Sequence, residues 1–424
     1  MANLKERFEK IGLNIPEILL PADNVDISKW AVIACDQFTS EQDYWRETEK
    51  NVGDAISTLN IILPEAYLEE GDTEELIEKI NTTQKQYLES GVLKKLKPGF
   101  ILVERSTEFA ESRKGLILAV DLENYSFETG ANAMIRPTEG TVLDRLPPRM
   151  NIRRGACLDL PHILLLIDDP KGGVIETLFE KRDQMEKLYD FELMQKGGHL
   201  KGWFADEAQI EAVADAFEAL AEDGFLFAVG DGNHSLAAAK QLWEEKKQNG
   251  ASADDPARFA LVEVENIHDA GLIFHPIHRV LFGVDEADFT KALSEKLNGT
   301  IEAGQPVART AEGNDHFIGL VSPTQKGVMK FTQPQQRLTV EFVQEFLDEY
   351  LAANPDVKID YIHDTQPALD LGVLEGNIAL FLPDLNKDVF FQRMINVGPY
   401  PRKTFSIGEA PEKRYYLESR RLTR

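Results

Sequence analysis

Cysteine and long apolar runs are both scarce in this sequence. Its 424 residues include only Cys35 and Cys157, too few for a disulfide framework and without the paired spacing of a cysteine metal site. The longest apolar runs, such as residues 163–167, have the length of a strand and cannot span a bilayer. Residues 1–7 carry charges where a secretory signal has an apolar core, so we expect a cytoplasmic protein.

Positive charge is also in short supply. The chain has 46 Lys and Arg against 72 Asp and Glu, a formal net charge of −26. Such a surface repels phosphate backbones and anionic lipids, which argues against nucleic acid or a membrane as a partner. We expect a small-molecule substrate, and the sequence leaves homo-oligomerisation open. An anionic ligand would need a local cluster of donors, because the overall field opposes it.

The length predicts two or three structural units of about 150 residues each. Hydrophobic residues make up 43% of the chain and charged residues 28%, as in ordinary folded proteins. No long Gly/Ser linker marks a boundary. We divide the chain into an N-terminal α/β segment (1–98), a central unit that carries the predicted site (99–285) and an α/β C-terminal region (286–424).

Hydrophobic periodicity predicts a mixed α/β (α+β) fold. Residues 206–222 have apolar side chains every three or four positions, which is typical of an amphipathic helix, and Asp206 is a suitable N-cap. A strand at 225–229, a loop and a helix at 236–248 follow, the unit from which α/β cores are built. Elsewhere the pattern predicts helices at 65–96 and 340–352, strands at 161–167 and 389–394, and a basic tail at 413–424.

Common nucleotide and hydrolase motifs are missing from the sequence. It contains no Walker A sequence, no G-x-G-x-x-G after a strand, no G-x-S-x-G elbow and no H-E-x-x-H. The strongest remaining signal is the loop at residues 230–235, Gly-Asp-Gly-Asn-His-Ser. Asp231, at the end of a predicted strand, and His234, which can titrate near neutral pH, are candidate catalytic groups.

The same loop is a candidate phosphate site. Gly230 and Gly232 allow a ligand to approach the main chain, and the first amides of the following helix form an anion site at Asn233 and Ser235. The alternative is a tight turn in which Asn233 or Ser235 caps the helix and His234 is incidental.

A second cluster reverses the sign of the charge locally. It contains the arginines Arg136, Arg145, Arg149, Arg153 and Arg154. The planar guanidinium suits phosphate and carboxylate recognition. Glu139, held ionised among these arginines, could take a hydroxyl proton as a general base. The alternative is a surface network of ion pairs.

Three further segments carry polar groups of interest. His275 and His278 would face opposite sides of a strand, which argues against a two-histidine metal clamp, and Arg279 beside them is a candidate anion ligand. Asp36 follows a short apolar strand. Lys403 belongs to a segment, residues 401–406, that combines two cations with two hydroxyls.

The order of these motifs resembles a conserved bacterial family, domain of unknown function 1015. The matching elements are residues 136–141 with Arg145, then 230–235, 276–279 and 401–404. The loop of this family is similar to the phosphate-binding loop of the ParB/sulfiredoxin superfamily, which includes a ParB-like kinase of free serine. This chain departs from the family at Asn233, which replaces a histidine, and at Ser235, which replaces an arginine.

The resemblance implies a ParB/sulfiredoxin-like central unit that binds a nucleotide, ATP or ADP, together with Mg²⁺. It implies that Glu139 is the base, that Asp231 holds the metal, and that His234 joins them in catalysis. The phosphate and nucleotide ligands it implies are Gly230, Gly232, Asn233, Ser235, Arg136, Thr141, Arg145 and Arg279. Our candidate substrate ligands are Asp36, His278 and Lys403.

Our leading hypothesis is a nucleotide-dependent small-molecule phosphotransferase acting on serine or a similar hydroxy amino acid. One alternative is a metal-dependent hydrolase that uses Asp231, His234, Asp168 and either His275 or His278. The other is a non-catalytic protein that binds an anionic metabolite, because Asn233 and Ser235 have replaced two family residues.

Overall fold

The computed structural model describes residues 2–68, 73–128, 130–334 and 337–423, which form two compact units. Unit 1 comprises Met1–Leu272, Ile395–Pro399 and Glu409–Arg424, and unit 2 comprises Ile273–Met394 and Tyr400–Gly408. The predicted boundary at 98/99 falls within unit 1, and the one at 285/286 falls within unit 2.

Helices are interspersed with single strands and runs of strands along the chain, which confirms the predicted mixed α/β fold. The helices are α1 (Ala2–Lys10), α2 (Ile27–Trp30), α3 (Gln42–Val52), α4 (Thr73–Glu89), α5 (Leu146–Arg154), α6 (Ile175–Glu180), α7 (Glu207–Leu220), α8 (Asn233–Gln248), α9 (Glu286–Leu297), α10 (Thr339–Ala353), α11 (Thr365–Gly372) and α12 (Phe390–Asn396). The strands are β1 (Leu13–Asn14), β2 (Glu17–Pro21), β3 (Val32–Ile33), β4 (Leu93–Pro98), β5 (Phe100–Ser106), β6 (Arg113–Asp121), β7 (Ile135–Pro137), β8 (Leu158–Asp159), β9 (Leu164–Ile167), β10 (Glu186–Leu193), β11 (Gly198–Ala205), β12 (Phe227–Asp231), β13 (Phe259–Asn266), β14 (Phe274–Pro276), β15 (His278–Phe282), β16 (Thr300–Ala303), β17 (Arg309–Glu312), β18 (Asp315–Val321), β19 (Lys326–Thr332), β20 (Lys358–Ile362), β21 (Asn377–Phe381), β22 (Phe405–Ile407), β23 (Tyr415–Tyr416) and β24 (Arg420–Arg421).

The main sheet of unit 1 has the strand order β10-β11-β5-β6-β13-β9-β12-β7, and β1 also pairs with β6. Strand β9 lies between β13, to which it is parallel, and β12, to which it is antiparallel. All four of its residues are buried, as the continuous apolar run in the sequence predicts. At the edge, β7 pairs with β12 in parallel, and this pair positions the candidate site.

The helix–strand–loop–helix unit forms as its local signals predict. The Asp206 carboxylate accepts hydrogen bonds from the Ala208 and Gln209 amides, and the Gln209 side chain caps Asp206 in return. After β12, Gly232 adopts a left-handed conformation with φ of 77° and turns the chain into α8. A Cβ at Gly232 would lie 3.0 Å from the main chain of Ile163, so the turn is also tightly packed.

Two predicted elements are wrong. The helix predicted at 65–96 ends with α4, because Gly91 has φ of 75° and the chain continues as β4, which pairs with β2; residues 69–72 of that prediction lie outside the described residues. The strand predicted at 389–394 is the start of α12. Its Phe390 and Met394 are buried at the spacing of one helical turn, and the Phe390 ring stacks on Tyr400.

The segment predicted as a basic tail is a buried part of unit 1. Residues 415–420 are buried, β23 pairs with β3, and β24 pairs with β8. Arg105 donates hydrogen bonds to the carbonyls of Pro411 and Lys413, and Arg414 forms ion pairs with Glu263 and Glu418. Buried cations require such partners, so the charges here hold the segment in the core.

Unit 2 has a sheet with the order β16-β19-β18-β21-β15-β20, to which β17 adds beside β18. Helices α9 and α10 contact each other through Phe289 and Phe346, whose ring centroids are 5.4 Å apart. No helix among the described residues is long and apolar enough to cross a membrane.

Candidate functional site

The carboxyl ends of β7 and β12 bring two predicted catalytic residues to one edge of the unit 1 sheet. The strands are parallel, with Val229 opposite Pro137, and the Thr138 hydroxyl donates to the Val229 carbonyl at 2.7 Å. Glu139 lies two residues beyond the end of β7, and Asp231 is the last residue of β12, so both follow the paired segment at its carboxyl end. The ends of such strands are where α/β proteins hold ligand-binding groups.

Asp231 carries a negative charge that its neighbours stabilise. Its Oδ1 accepts a hydrogen bond from the Gly232 amide at 2.8 Å, and its Oδ2 lies 3.3 Å from Nζ of Lys413. Burial opposes ionisation, but Lys413, the Gly232 amide and His162 outweigh it and lower the pKa of Asp231. The carboxylate is therefore ionised at neutral pH and is paired with a cation from the C-terminal segment.

Helix α8 begins immediately after Asp231 and Gly232. Its N-cap residue is Gly232, which has no side chain to cap the first turn. The first amides of a helix have no partner within the helix and carry partial positive charge. The Val142 amide donates to Nε2 of His234 at 3.3 Å, which ties the loop after Glu139 to the first turn of α8. We call Glu139, Asp231, His234, Lys413 and this first turn the strand-end site.

A second set of polar side chains continues from the first turn of α8. Nε2 of His162 lies 2.9 Å from the Ser235 hydroxyl and 3.8 Å from Oδ2 of Asp36. Nδ1 of His162 lies 2.7 Å from the Tyr416 hydroxyl, which lies 3.1 Å from Sγ of Cys35. We call these five residues the His162 cluster. It joins Asp36 and Ser235, which were predicted separately as substrate and phosphate ligands.

Sequence patterns did not predict a place in the site for His162, Lys413 or Tyr416. His162 precedes a buried strand in a segment with no recognisable motif, and a single histidine there carries no specific signal. Lys413 and Tyr416 lie in the segment that composition predicted as a tail. The sequence signal for both was the aromatic pair Tyr415 and Tyr416 among the arginines, because neighbouring aromatic residues are unusual in a solvated tail.

The arginines divide between the site and structural ion pairs. Arg149 forms an ion pair with Glu65, and Arg145 is exposed at the start of α5. Burial raises the pKa of Glu65, although Arg149, His162 and Arg145 oppose that shift. The charges of Arg145 and Arg149 therefore act in the neighbourhood of His162.

The remaining arginines are held elsewhere. Arg153 bonds to the buried Asp159 at 2.6 Å, and Arg154 pairs with the exposed Glu245, as a structural ion-pair network predicts. Arg136 donates to the Ala133 carbonyl at 2.7 Å and lies over the Phe225 ring. Both partners precede β7 and β12, at the opposite end from Glu139, so Arg136 is not brought to the strand-end site.

Two further predicted phosphate ligands lie near this region. Thr141 is half-buried beside Tyr125, in the loop between β7 and α5. Gly230 is the penultimate residue of β12. The role of each in phosphate binding stays a prediction.

Three predicted ligands belong to unit 2. His278 is 3% exposed, and its Nδ1 accepts a hydrogen bond from the Leu382 amide. Arg279 is fully buried, and its guanidinium donates to Gln344 and to the Ile277 carbonyl. Lys403 is exposed, with φ of 59°. In the structure, His278 and Arg279 are committed to partners within unit 2, and their roles toward a ligand stay predictions.

The described residues hold no group of three or more His, Cys, Asp or Glu that could bind a metal ion. Asp168, which the hydrolase hypothesis requires, instead lies 2.7 Å from His268. A cation in the strand-end site would therefore be held by one or two protein oxygens and by its ligand.

Comparisons with known proteins place this geometry in context. A family model described as "Protein of unknown function (DUF1015)" matches residues 18–350. No curated protein matches the sequence.

Three of the solved structures that the chain matches are as follows. A free serine kinase in complex with AMP is 11% identical, with a TM-score of 0.39, and the match covers 71% of this chain and 90% of that one. A conserved hypothetical protein from Pyrococcus furiosus is 12% identical (TM-score 0.36; 72% and 95% covered). SbnI with a C-terminal truncation, from Staphylococcus aureus, is 12% identical (TM-score 0.34; 69% and 82% covered). Similarities this distant support no statement about activity.

Proposed function

The chain belongs to the family of proteins of unknown function DUF1015, and from the geometry of its strand-end site we propose that it is a nucleotide-dependent small-molecule phosphotransferase. The observation that carries the proposal is the position of Asp231 at the end of β12 and of Glu139 just beyond the end of the parallel strand β7, together with the amino terminus of α8 that follows Asp231. This arrangement provides a general base, a metal ligand and an anion site at one edge of the sheet.

The first turn of α8 would hold a phosphate of the nucleotide. Its amides offer donors without adding a net charge, and Lys413 adds a cation next to them through its pair with Asp231. Arg145 and Arg149 contribute further positive charge in the neighbourhood of Glu65. In a chain with a net charge of −26, this local set of donors is what allows an anion to bind.

Glu139 would accept the proton of the acceptor hydroxyl. General-base catalysis by a positioned carboxylate contributes roughly 10²- to 10⁴-fold to a rate. Phosphoryl transfer depends mainly on positioning and charge stabilisation, so a small hydroxylated metabolite held between Glu139 and the phosphate would suffice as acceptor. Serine and related hydroxy amino acids are the first acceptors to examine.

The residues of the site fit Mg²⁺. Asp231 is held ionised, and Oδ1 of Asn233 is buried without a hydrogen-bond partner among the described residues. Mg²⁺ is usually bound by one or two protein oxygens together with phosphate oxygens. A carboxylate oxygen of Asp231 and Oδ1 of Asn233 are suitable protein ligands. When bound, the ion would neutralise charge on the phosphates; Asp231 and Asn233 would hold it, and Lys413 would keep Asp231 oriented.

The proposal is tested by incubating the full chain with ATP or ADP, Mg²⁺ and a panel of hydroxylated metabolites that begins with serine. Phosphorus NMR should show a new phosphoester, and nucleotide should raise the melting temperature. Glu139→Gln should lower the rate by about 10²- to 10⁴-fold while keeping the melting shift. The matched control, Glu222→Gln, changes an exposed glutamate and should keep the parent rate. Absence of both transfer and a melting shift would refute the proposal.

A further inference from the structure

Ser235 and His162 have the geometry of a nucleophile and its base. The Ser235 hydroxyl lies 2.9 Å from Nε2 of His162, within the range expected for a hydroxyl that gives its proton to an imidazole. Ser235 is half-buried at the third position of α8, so a ligand at this helix end can reach its hydroxyl.

The other side of the imidazole is held by Tyr416. The Tyr416 oxygen lies 2.7 Å from Nδ1 of His162, accepts a hydrogen bond from the Cys35 amide at 3.2 Å, and lies 3.1 Å from the Cys35 sulfur. When the phenol donates its proton to sulfur, Nδ1–H of His162 donates to the phenol oxygen. Nε2 then has its lone pair directed at Ser235, the tautomer that a base requires.

Cys35 is a poor competitor for the role of nucleophile. Burial and the adjacent Asp36 raise the pKa of its thiol to about 12, so the thiolate form is not populated at neutral pH. The Cys35 side chain instead serves as a neighbour of Tyr416. This leaves Ser235 as the half-exposed nucleophile of the His162 cluster.

We propose that Ser235 is a nucleophile activated by His162 and that it carries a phosphoryl group as a covalent intermediate; the phosphoryl donor rests on the function proposed above. The Ser235 oxygen attacks the terminal phosphorus of a nucleoside triphosphate while Nε2 of His162 takes the hydroxyl proton. The bond from that phosphorus to the bridging oxygen breaks, and nucleoside diphosphate leaves.

The second half of the reaction returns the enzyme to its starting state. An acceptor hydroxyl, whose proton passes to Glu139, attacks the phosphorus on Ser235. The bond between phosphorus and the Ser235 oxygen breaks, and the His162 imidazolium returns its proton to that oxygen. Glu139 then releases the acceptor's proton to solvent. Two displacements therefore replace a single direct transfer.

The nucleophile is tested without nucleotide by a fluorophosphonate probe, which phosphonylates an activated serine with loss of fluoride. Peptide mass spectrometry of the full chain should place the label on Ser235. Ser235→Ala should abolish it, and His162→Gln should slow it by at least about 100-fold. Ser90→Ala, at an exposed serine, is the matched control and should be labelled at the parent rate.

A second arm uses ATP with a radioactive terminal phosphate and separates this inference from the proposed function. Label on Ser235 from both reagents supports both proposals. Label from the fluorophosphonate alone supports the activated serine but overturns the phosphorylated intermediate, and the phosphorus NMR assay then decides whether phosphate passes directly from nucleotide to acceptor. No label from either reagent, on protein whose melting curve shows that it is folded, overturns the inference. Transfer to an acceptor by Ser235→Ala at the parent rate overturns it too and leaves the phosphotransferase intact.

Tyr416 is a positioning residue in this proposal. Tyr416→Phe keeps the buried ring and removes only the hydroxyl, so the rate of labelling should fall and its pH profile should shift. A merely structural role would leave that profile unchanged. The charged and titratable groups that interact with His162 are Asp36, Glu65, Asp231 and Tyr416. Arg145 and Arg149 act on the same Glu65, and Lys413 acts on the same Asp231.

Discussion

The loop at residues 230–235 in unit 1 and the segment at 276–279 in unit 2 contain similar polar residues but differ in their setting. Asp231 and Ser235 lie where a strand gives way to a helix, half-buried and beside groups from distant parts of the chain. His278 and Arg279 are the first two residues of β15, where they are buried and have hydrogen-bond partners within unit 2. A half-buried turn from a strand into a helix leaves polar atoms accessible to a ligand, whereas a buried strand position requires their satisfaction within the protein.

The largest effect is expected from a change in the loop at residues 230–235, which should alter the rate of phosphoryl transfer. Asp231→Asn removes the charge that pairs with Lys413 and the proposed Mg²⁺ ligand while keeping the shape of the side chain. We expect the rate of phosphoryl transfer to fall by about 10²- to 10³-fold, because both the metal and the cation lose a partner. The rate is followed by phosphorus NMR, and a urea titration serves as the control for folding. A variant with the parent rate would show that Asp231 has no part in the chemistry.

In unit 2 the largest effect should be on stability. Arg279→Ala leaves the Gln344 side chain and the Ile277 carbonyl without their donor, so the free energy of unfolding should fall by about 3 kcal/mol. Urea denaturation measures this loss. Lys291→Ala, at an exposed lysine, is the control and should change it by less than about 0.5 kcal/mol. Equal values for the two variants would contradict the structural role of Arg279.

Acid should also destabilise unit 2 through His278. Burial, with the charges of Arg279 and His363, lowers its pKa from 6.5 to about 4 in the folded chain. Below pH 6.5 the unfolded chain binds more protons than the folded one, so stability falls as the pH falls. The loss between pH 6.5 and pH 5 is about 2 kcal/mol at roughly 1.4 kcal/mol for each unit.

Urea titrations at pH 6.5 and pH 5 measure this dependence, and His278→Gln should flatten it. His199→Gln is a control of opposite sign. Asp190 and Glu192 raise the pKa of His199, so its contribution is present at low pH and is lost as the pH rises. Equal slopes for the parent and His278→Gln would rule out the buried imidazole as the cause.

The smallest effect is expected from the exposed part of the arginine cluster. Arg154 pairs with Glu245 at the surface, where solvent screens the charges, so Arg154→Ala should cost about 0.5 kcal/mol or less. Arg153→Ala should cost several times more, because its partner Asp159 is buried. Chemical denaturation of the two variants measures how much stability each one loses. Similar losses would contradict the expected difference between the exposed and the buried ion pair.

The local part of the site could be predicted from the sequence, because its signals lie within a few residues. The Asp206 cap, the strand before Asp231 and the left-handed Gly232 all follow from short-range patterns. The pattern of residues 389–394 predicted a strand where the structure has the start of α12. Aromatic residues occur in strands as well as in helices, and here tertiary packing favours the helix.

The long-range part could not be predicted. Tyr416 and His162 lie 254 residues apart in the chain, and nothing in either local sequence specifies their contact. Composition also misjudged the segment around Lys413, because charged residues are usually solvated and here they are paired inside unit 1. The strand pairings of β23 with β3 and of β24 with β8 hold this segment against unit 1.

The division of unit 1 along the chain has a consequence for the order of synthesis. Residues 409–424 complete its core, yet a ribosome makes them only after the whole of unit 2. Until then the strands β3 and β8 lack their partners, and Asp231 and His162 lack Lys413 and Tyr416. A nascent chain released before these residues would carry the loop and its glycines but neither Lys413 nor Tyr416, so the strand-end site and the His162 cluster are completed only when residues 413–416 have been made.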